Sequence, residues 1–157
     1  MVGVPSGQGT QEPSIQRVVI VPPDIVLPLI AYQPDSPLQI EDIKIFQFVS
    51  GGGGSQSYRV RNTGKKPIRS YTIGTWNSGG TGWDVELPFK ENLLPGQVGT
   101  LTGNEVQVVE LTEDLRNQLK LRGEMKVIMV FMIVRVEYAD GSIYNSESLY
   151  KSFKNAF

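Results

Sequence analysis

Residues 125–144 read MKVIMVFMIVRVEYADGSIY, and this segment carries the strongest structural signal in the chain. Residues 127–134 form an unbroken run of eight apolar residues, most of them β-branched or aromatic, before polar residues begin to alternate at Arg135 and Glu137. The run is far shorter than the roughly 20 apolar residues that a membrane-spanning helix needs. The pattern predicts an interior strand that is buried on both faces along the run and reaches solvent near its end.

A tight hairpin is predicted directly after this strand. The dipeptide Asp140-Gly141 readily takes the positive φ angles that a short hairpin turn requires. A return strand should follow at residues 142–144.

Further strand-like segments precede this region, and turn signals separate them at spacings of roughly 8–12 residues. The segment at residues 24–30 contains Pro28, which predicts an edge strand because proline cannot donate to a ladder. Residues 43–49 carry apolar residues on both faces, which predicts an interior strand. Strands are expected at residues 15–21, 24–30, 43–49, 58–62, 68–76, 83–87, 98–102 and 106–111. This spacing is typical of an all-β sandwich.

Two connections carry specific expectations. The four glycines at residues 51–54, followed by Ser55, predict a natural hairpin loop, with an engineered linker as the other interpretation. The strand at residues 68–76 is predicted to pair back on the strand around residues 58–62 and so form a second hairpin.

One short helix is predicted after the strand at residues 106–111. Thr112 can act as its N-cap, Glu113 and Asp114 place negative charge on its first turn, and basic residues lie near its end before Gly123. Residues 148–157 leave two possibilities open, a short docked helix or a final strand.

Length and composition indicate one globular domain. The chain has 157 residues with 17 glycines and 10 prolines, which favours turn-rich β structure. We expect a flexible arm at residues 1–14 and a single domain at residues 15–157. The formal net charge of −1 gives no electrostatic reason to expect nucleic acid as a partner.

The chain contains no cysteine and no histidine. A disulfide scaffold, a thiolate nucleophile and a zinc–sulfur site are therefore excluded, and the commonest general base and transition-metal ligand are missing. No phosphate-binding or nucleophile motif is present either. We expect no enzymatic activity, no metal and no cofactor.

The N-terminal residues leave the cellular location open. No signal peptide and no transmembrane segment are visible. Residues 2–12 fit two interpretations equally, a linker left after a leader or anchor was removed, or a cytoplasmic start. The first interpretation would place the protein in the periplasm, in the envelope or outside the cell.

Three turn motifs follow one another in a recognisable order. They are Tyr58-x-Val60-x-Asn62-Thr63-Gly64-Lys65-Lys66-Pro67-Ile68, Leu94-Pro95-Gly96-Gln97 and Val136-x-Tyr138-Ala139-Asp140-Gly141-Ser142-Ile143-Tyr144. Over about residues 58–144 this order resembles bacterial immunoglobulin-like and fibronectin-type-III-like β-sandwich domains of unknown function. The resemblance implies an immunoglobulin-like antiparallel β-sandwich, here with one short helix. It brings no catalytic residues with it, and the cysteine pair of true immunoglobulin domains is missing.

The first candidate binding surface is basic. Arg59, Arg61, Lys65, Lys66 and Arg69 place five positive charges within eleven residues, with no negative charge between them. On a hairpin they would form a basic ridge for an acidic partner, an anionic polysaccharide or lipid headgroups. The simpler interpretation is an edge strand that charge protects from aggregation.

The second candidate surface is aromatic. Tyr71, Trp76, Trp83 and Phe89 flank the glycine-rich loop at residues 77–82. Exposed Trp and Tyr rings can stack on sugars or anchor a protein partner. Core packing is the simpler interpretation for most of them, and Trp83 is the better candidate for exposure.

Carboxylate chemistry is the weakest alternative. Asp84 and Glu86 share one face of a short strand and could pair for acid–base work or bind a hard cation, but a solvated strand face explains them more simply. Asp140 could ligate calcium, but turn formation accounts for it. We therefore expect a non-catalytic binding module of a bacterial exported or envelope protein, whose partner is a protein or a polysaccharide. A carbohydrate-binding module that uses Trp76 and Trp83 is the alternative.

Overall fold

The computed structural model describes residues 15–77, 85–102, 106–121 and 127–156, which form strands and two short helices. The strands are β1 Gln16–Ile20, β2 Val26–Ile30, β3 Leu38–Phe48, β4 Gly54–Asn62, β5 Ile68–Asn77, β6 Val85–Leu93, β7 Val98–Thr102, β8 Val106–Val108, β9 Val127–Tyr138 and β10 Ile143–Asn145. The helices are α1 Glu113–Gln118 and α2 Glu147–Ala156.

The strands form two sheets that share one apolar core. The first sheet has the order β7-β4-β3-β1-β8, and the second has the order β10-β9-β5-β6 with β2 also paired to β9. The core between them contains Ile43 and Tyr58 from the first sheet and Phe131 and Ile133 from the second. The predicted all-β sandwich is confirmed. The predicted antiparallel pairing is wrong at two places, because β1 with β8 and β2 with β9 run parallel.

Strand β9 is the interior strand that its apolar run predicts. It pairs with β5 along one edge and with β2 and β10 along the other. Met129 and Phe131 face the core between the sheets, whereas Val130 and Met132 face a second apolar cluster on the outer side. An unbroken apolar run was therefore required, because both faces of the strand are covered.

A side chain completes the pairing of β9 between β2 and β10. Gln33 is 5% exposed, its Nε2 donates to the carbonyl of Ile133 at 2.8 Å, and its Oε1 accepts from the amide of Ile133 at 2.8 Å. The amide group thus takes the place of a backbone partner at Ile133, which lies between the last residue paired with β2, Phe131, and the nearest residue paired with β10, Arg135. Ser146 Oγ also donates to the carbonyl of Ile133.

Helix α2 covers the outer cluster of the second sheet. Tyr150 packs edge-on against Trp76 with 5.5 Å between ring centroids. A Cβ on Gly74 would lie 2.6 Å from the Tyr150 ring, so glycine is required where the helix meets β5. Residues 148–157, left open by the sequence, thus belong to a docked helix as far as Ala156.

The turn predictions have mixed outcomes. The glycine hairpin joins β3 to β4, and the Asp140-Gly141 hairpin joins β9 to β10 with Gly141 at a φ of 88°. Helix α1 has its predicted N-cap, since the Leu115 amide donates to Thr112 Oγ1 at 3.2 Å. The prediction that β4 and β5 form a hairpin is wrong. β4 pairs with β3 and β7 in the first sheet, and β5 pairs with β6 and β9 in the second.

Candidate functional site

The two ends of the sandwich are built differently. We call one the closed end, where residues 62–67, 93–97 and 138–142 make the turns. Asn62 has no exposed surface, and its Nδ2 donates to the carbonyls of Lys66 and Leu93, both at 2.9 Å. Its backbone amide donates to Gln97 and its carbonyl accepts from Gly96. Asn62 therefore ties together the first two turn motifs of the sequence, through its side chain to Leu93 and through its backbone to Gly96 and Gln97. The two motifs lie in different connections between the sheets.

The third turn motif joins the same network. The amide of Ala139 donates to the carbonyl of Pro67 at 2.9 Å, and Lys66 Nζ reaches Asp140 at 3.2 Å and Ser142 Oγ at 2.7 Å. Hydrogen bonds from the side chain and amide of Ser142, with a further one from Lys66, lower the pKa of Asp140 to about 2. Asp140 therefore acts as a turn residue, and no group of three metal ligands is found within the described ranges.

The predicted basic ridge is divided between the two sheets. Arg59 and Arg61 lie on β4, where both contact Glu41 at 3.3 Å and 2.7 Å, and the hydrogen bond from Arg61 is the main cause that lowers the pKa of Glu41. A register shift between Ile40 and Asp42 leaves Glu41 as the extra residue that faces this arginine pair. A carboxylate thus neutralises half of the arginine charge on the first sheet.

The remaining basic residues lie elsewhere. Arg69 on β5 in the second sheet pairs with Glu137 at 2.9 Å, and Lys66 pairs with Asp140 at the closed end. Lys65 is exposed in the turn between the sheets. Because β4 and β5 are in different sheets, the five cations do not share one face, and the prediction of a single ridge is corrected.

The aromatic surface also differs from the prediction. Trp76 is 2% exposed in the cluster under α2, so its ring cannot stack on a sugar in this structure, and the binding role predicted for it is corrected. Tyr71 is 2% exposed and packs against Phe89 with 5.5 Å between ring centroids. Trp83 and Asp84 lie outside the described residues.

The opposite end of the sandwich, which we call the open end, contains a cavity of about 600 Å³. It is the end of the β3–β4 hairpin, of the β1–β2 connection and of the start of β9. The first sheet contributes Ile45, Gln47, Gln56 and Tyr58 to its wall. The register pairs Ile45 with Gln56 and Gln47 with Gly54, which places these side chains on the inner face that Tyr58 shares.

The second sheet supplies an apolar wall opposite. Leu87 and Phe89 come from β6 and Met129 from β9, and the ring of Phe89 packs edge-on against Tyr58 with 5.6 Å between centroids. Apolar side chains dominate this side because these residues belong to the same face as the sandwich core. The cavity is thus a continuation of the core that side chains do not fill.

Helix α1 positions a third wall. Arg116 donates to the carbonyl of Leu121 at 3.3 Å and lies 3.6 Å from Asp24 in the β1–β2 connection. These contacts hold Leu121 beside Ile25, and both line the cavity. Leu121 is 7% exposed, so the short helix serves to bring an apolar side chain to this end.

The cavity carries no formal charge on its described lining. Tyr58 is the one titratable side chain among those residues; it is 3% exposed, and burial raises its pKa so that the phenol stays neutral. Its hydroxyl donates to Gln56 Oε1. Gln47 Nε2 donates to the carbonyl of Gly53 at 2.8 Å. The described lining offers apolar surface and amide hydrogen bonds, and among its residues there is no group for proton transfer at neutral pH.

Sequence reasoning missed this site. The signal in the sequence was the pair Gln47 and Gln56. These polar residues lie two positions from Ile45 and Tyr58 and therefore share the inner face with them. With the glycine hairpin taken as a tight connection, the register would have placed both amides inside the sandwich.

No protein-family model, no curated protein and no solved structure matches this chain significantly. Among the helices in the described ranges, none has the length and apolar character to span a membrane.

Proposed function

We propose that this chain is a non-catalytic binding module and that its ligand site is the cavity at the open end. The observation that supports the proposal is a cavity of about 600 Å³ lined by apolar and uncharged polar side chains. Small-molecule sites usually measure about 300–1,000 Å³ and are mostly apolar with a few polar groups. An engineered apolar cavity of about 150 Å³ already binds benzene, so this one suits a considerably larger ligand.

Filling the cavity tests the proposal. Val26 lines the cavity, whereas its neighbour Leu27 points to the other face of β2 and is 38% exposed. Val26→Phe should abolish or strongly weaken binding of the uncharged fluorescent probe Nile red, because the larger ring occupies the empty volume. Leu27→Phe adds the same ring to the opposite face and should bind the probe like the wild type.

Thermal unfolding of both variants serves as the control for folding. If wild-type protein does not bind Nile red, or if Val26→Phe and Leu27→Phe bind it equally, the cavity is not the ligand site. A binding module with another site would then have to be sought at Lys65 or at the arginine pair of β4.

The immunoglobulin-like relationship and the exported location belong to the same proposal. What supports the relationship is that the three turn motifs behind the resemblance meet at the closed end through Asn62 and Lys66. The location rests on the resemblance alone. Because Trp76 is buried in the core, the carbohydrate-binding alternative depends on Trp83. A glycan-dependent change in tryptophan fluorescence that disappears in Trp83→Ala would favour that alternative.

A further inference from the structure

We infer that the cavity takes an uncharged amphipathic molecule, with an apolar body and one neutral hydrogen-bonding group such as an alcohol, an ester or an amide. The inference rests on the proposed function, because it names the ligand class of the same site. Its basis is the distribution of polar atoms in the wall, which is one-sided, together with the absence of charge on the described lining.

The polar atoms lie on one wall, at the hairpin side. Gln47 and Gln56 occupy inner-face positions of β3 and β4, next to Ile45 and Tyr58 and close to the hairpin tip. The facing wall contains Leu87, Phe89 and Met129, which have no strong hydrogen-bonding side-chain group. A ligand that satisfies both walls must itself be apolar on one side and polar at one point.

The two amides present one donor and one acceptor. Tyr58 donates to Gln56 Oε1, and among the described residues Gln56 Nε2 has no hydrogen-bond partner. Gln47 Nε2 is engaged by the carbonyl of Gly53, and its Oε1 has no donor within the described part of the chain. A hydroxyl group both donates and accepts, and an amide does the same with two atoms. The wall therefore matches such groups.

A charged headgroup does not match this wall. Burying an ion without a partner is far more costly than burying a hydrogen-bonded neutral group. The described lining offers no cation for a carboxylate or phosphate and no carboxylate for an amine. Tyr58 cannot substitute, because burial raises its pKa and keeps it neutral.

Three molecules with the same twelve-carbon chain test the headgroup. They are 1-monolaurin (uncharged), dodecanoate (negative) and dodecyltrimethylammonium (positive), each used below its micelle concentration in competition with Nile red at pH 7.4. We expect 1-monolaurin to displace the probe at a concentration at least about tenfold lower than either ion, since the ions lack a partner in the site.

Two substitutions at Gln56 test whether the polar wall causes the preference for an uncharged headgroup. Gln56→Leu should weaken the binding of 1-monolaurin by about fivefold to tenfold, the usual effect of one lost hydrogen bond. Gln56→Lys should strengthen the binding of dodecanoate relative to that of 1-monolaurin, because it adds the missing cation. Circular dichroism and thermal unfolding verify that each variant is folded, and Gln39→Leu, at the opposite end of the first sheet, serves as the matched control.

The outcomes separate the inference from the function on which it rests. Equal binding of all three molecules, or tighter binding of an ion, would overturn the inference and leave the apolar site in place. A crystal structure with a polypeptide segment in the cavity would also overturn it. If Nile red and all three amphiphiles fail to bind, the proposed function itself fails.

Discussion

The closed end and the open end use polar side chains in opposite ways. At the closed end, Asn62 is fully buried, and its side chain and backbone are engaged by two turns, residues 62–67 and 93–97. At the open end, Gln56 is only partly buried and accepts one hydrogen bond, from Tyr58. The comparison teaches that the number of partners separates the two amides: that of Asn62 is used by the structure, whereas that of Gln56 keeps hydrogen-bonding capacity that the proposed ligand could use.

The same contrast holds for the apolar residues. Phe131 has no exposed surface and lies in the packed core, whereas Phe89 is partly buried and borders the cavity. Both rings contact Tyr58. Truncating each ring in turn therefore compares a fully packed side of Tyr58 with a side that borders the cavity.

The largest expected effect comes from truncating these two rings. Phe131→Ala should cost about 3–5 kcal/mol of unfolding free energy, because it removes a buried ring and leaves a cavity. Phe89→Ala should cost only about 1–2 kcal/mol, because part of its surroundings is already empty. Urea unfolding of both variants measures the difference. Equal losses would show that the open end is as well packed as the core and would remove the basis for a ligand site.

The next largest effect concerns the two amides. Asn62→Ala should cost about 2–4 kcal/mol, since it leaves the carbonyls of Lys66 and Leu93 and the amide of Gly64 without their partner. Gln56→Ala should cost about 1 kcal/mol or less, because one hydrogen bond is lost near solvent.

Thermal unfolding and Nile red binding together check this pair. Asn62→Ala should lower the Tm while the folded protein still binds the probe. A variant at Asn62 that kept its stability would contradict the structural role of the closed end, and a large loss of stability in Gln56→Ala would assign Gln56 to structure instead of ligand binding.

The fold was predictable where local pattern and tertiary environment agree. The apolar run of β9, the Asp140-Gly141 turn and the Thr112 cap each follow from adjacent residues, and all are confirmed. The pairing of β4 with β5 was wrong, because a turn signal shows that the chain reverses without showing whether the next strand joins the same sheet. The crossing follows from pairings between strands distant in sequence, since β4 pairs with β7 and β5 pairs with β9.

The candidate site was less predictable for a related reason. Its wall combines residues of β3, β4, β6 and β9 with Leu121 after α1, and no local motif connects them. The basic residues stood out in the sequence, but their acidic partners Glu41 and Glu137 lie in other strands. Charge clusters read along the chain therefore overestimated the basic surface, and two unremarkable glutamines were overlooked.

A smaller effect is the pH dependence of stability, which we expect at the closed end only. The Ser142 and Lys66 hydrogen bonds lower the pKa of Asp140 from 3.8 to about 2 in the folded protein. A lowered pKa stabilises the fold above the unfolded value, and this contribution is lost as the pH falls toward the folded value. The Tm difference between wild type and Asp140→Asn should therefore be present above about pH 3.8, shrink as the pH falls, and vanish only below about pH 2.

Binding at the open end provides the contrast, because its described lining is neutral. Nile red affinity should be the same in mildly acidic and mildly alkaline buffer. A titration of the affinity within that range would reveal an ionisable group in the site and would argue against an uncharged ligand.

The smallest effect is expected at the arginine pair of β4, although Arg61 also donates to the carbonyl of Gly96 in a turn of the closed end at 3.1 Å. Glu41 lies between Arg59 and Arg61 and leaves one net positive charge on this group of three. Because surface ion pairs contribute little to stability, the double variant Arg59→Ala with Arg61→Ala should shift the Tm by about 2 °C or less. It should also bind 1-monolaurin as the wild type does and be retained equally on heparin resin. This expectation is contradicted if heparin retains the double variant less than the wild type and if that difference decreases as the salt concentration is raised. The outer face of the first sheet would then be a second binding surface, and binding would no longer be confined to the open end.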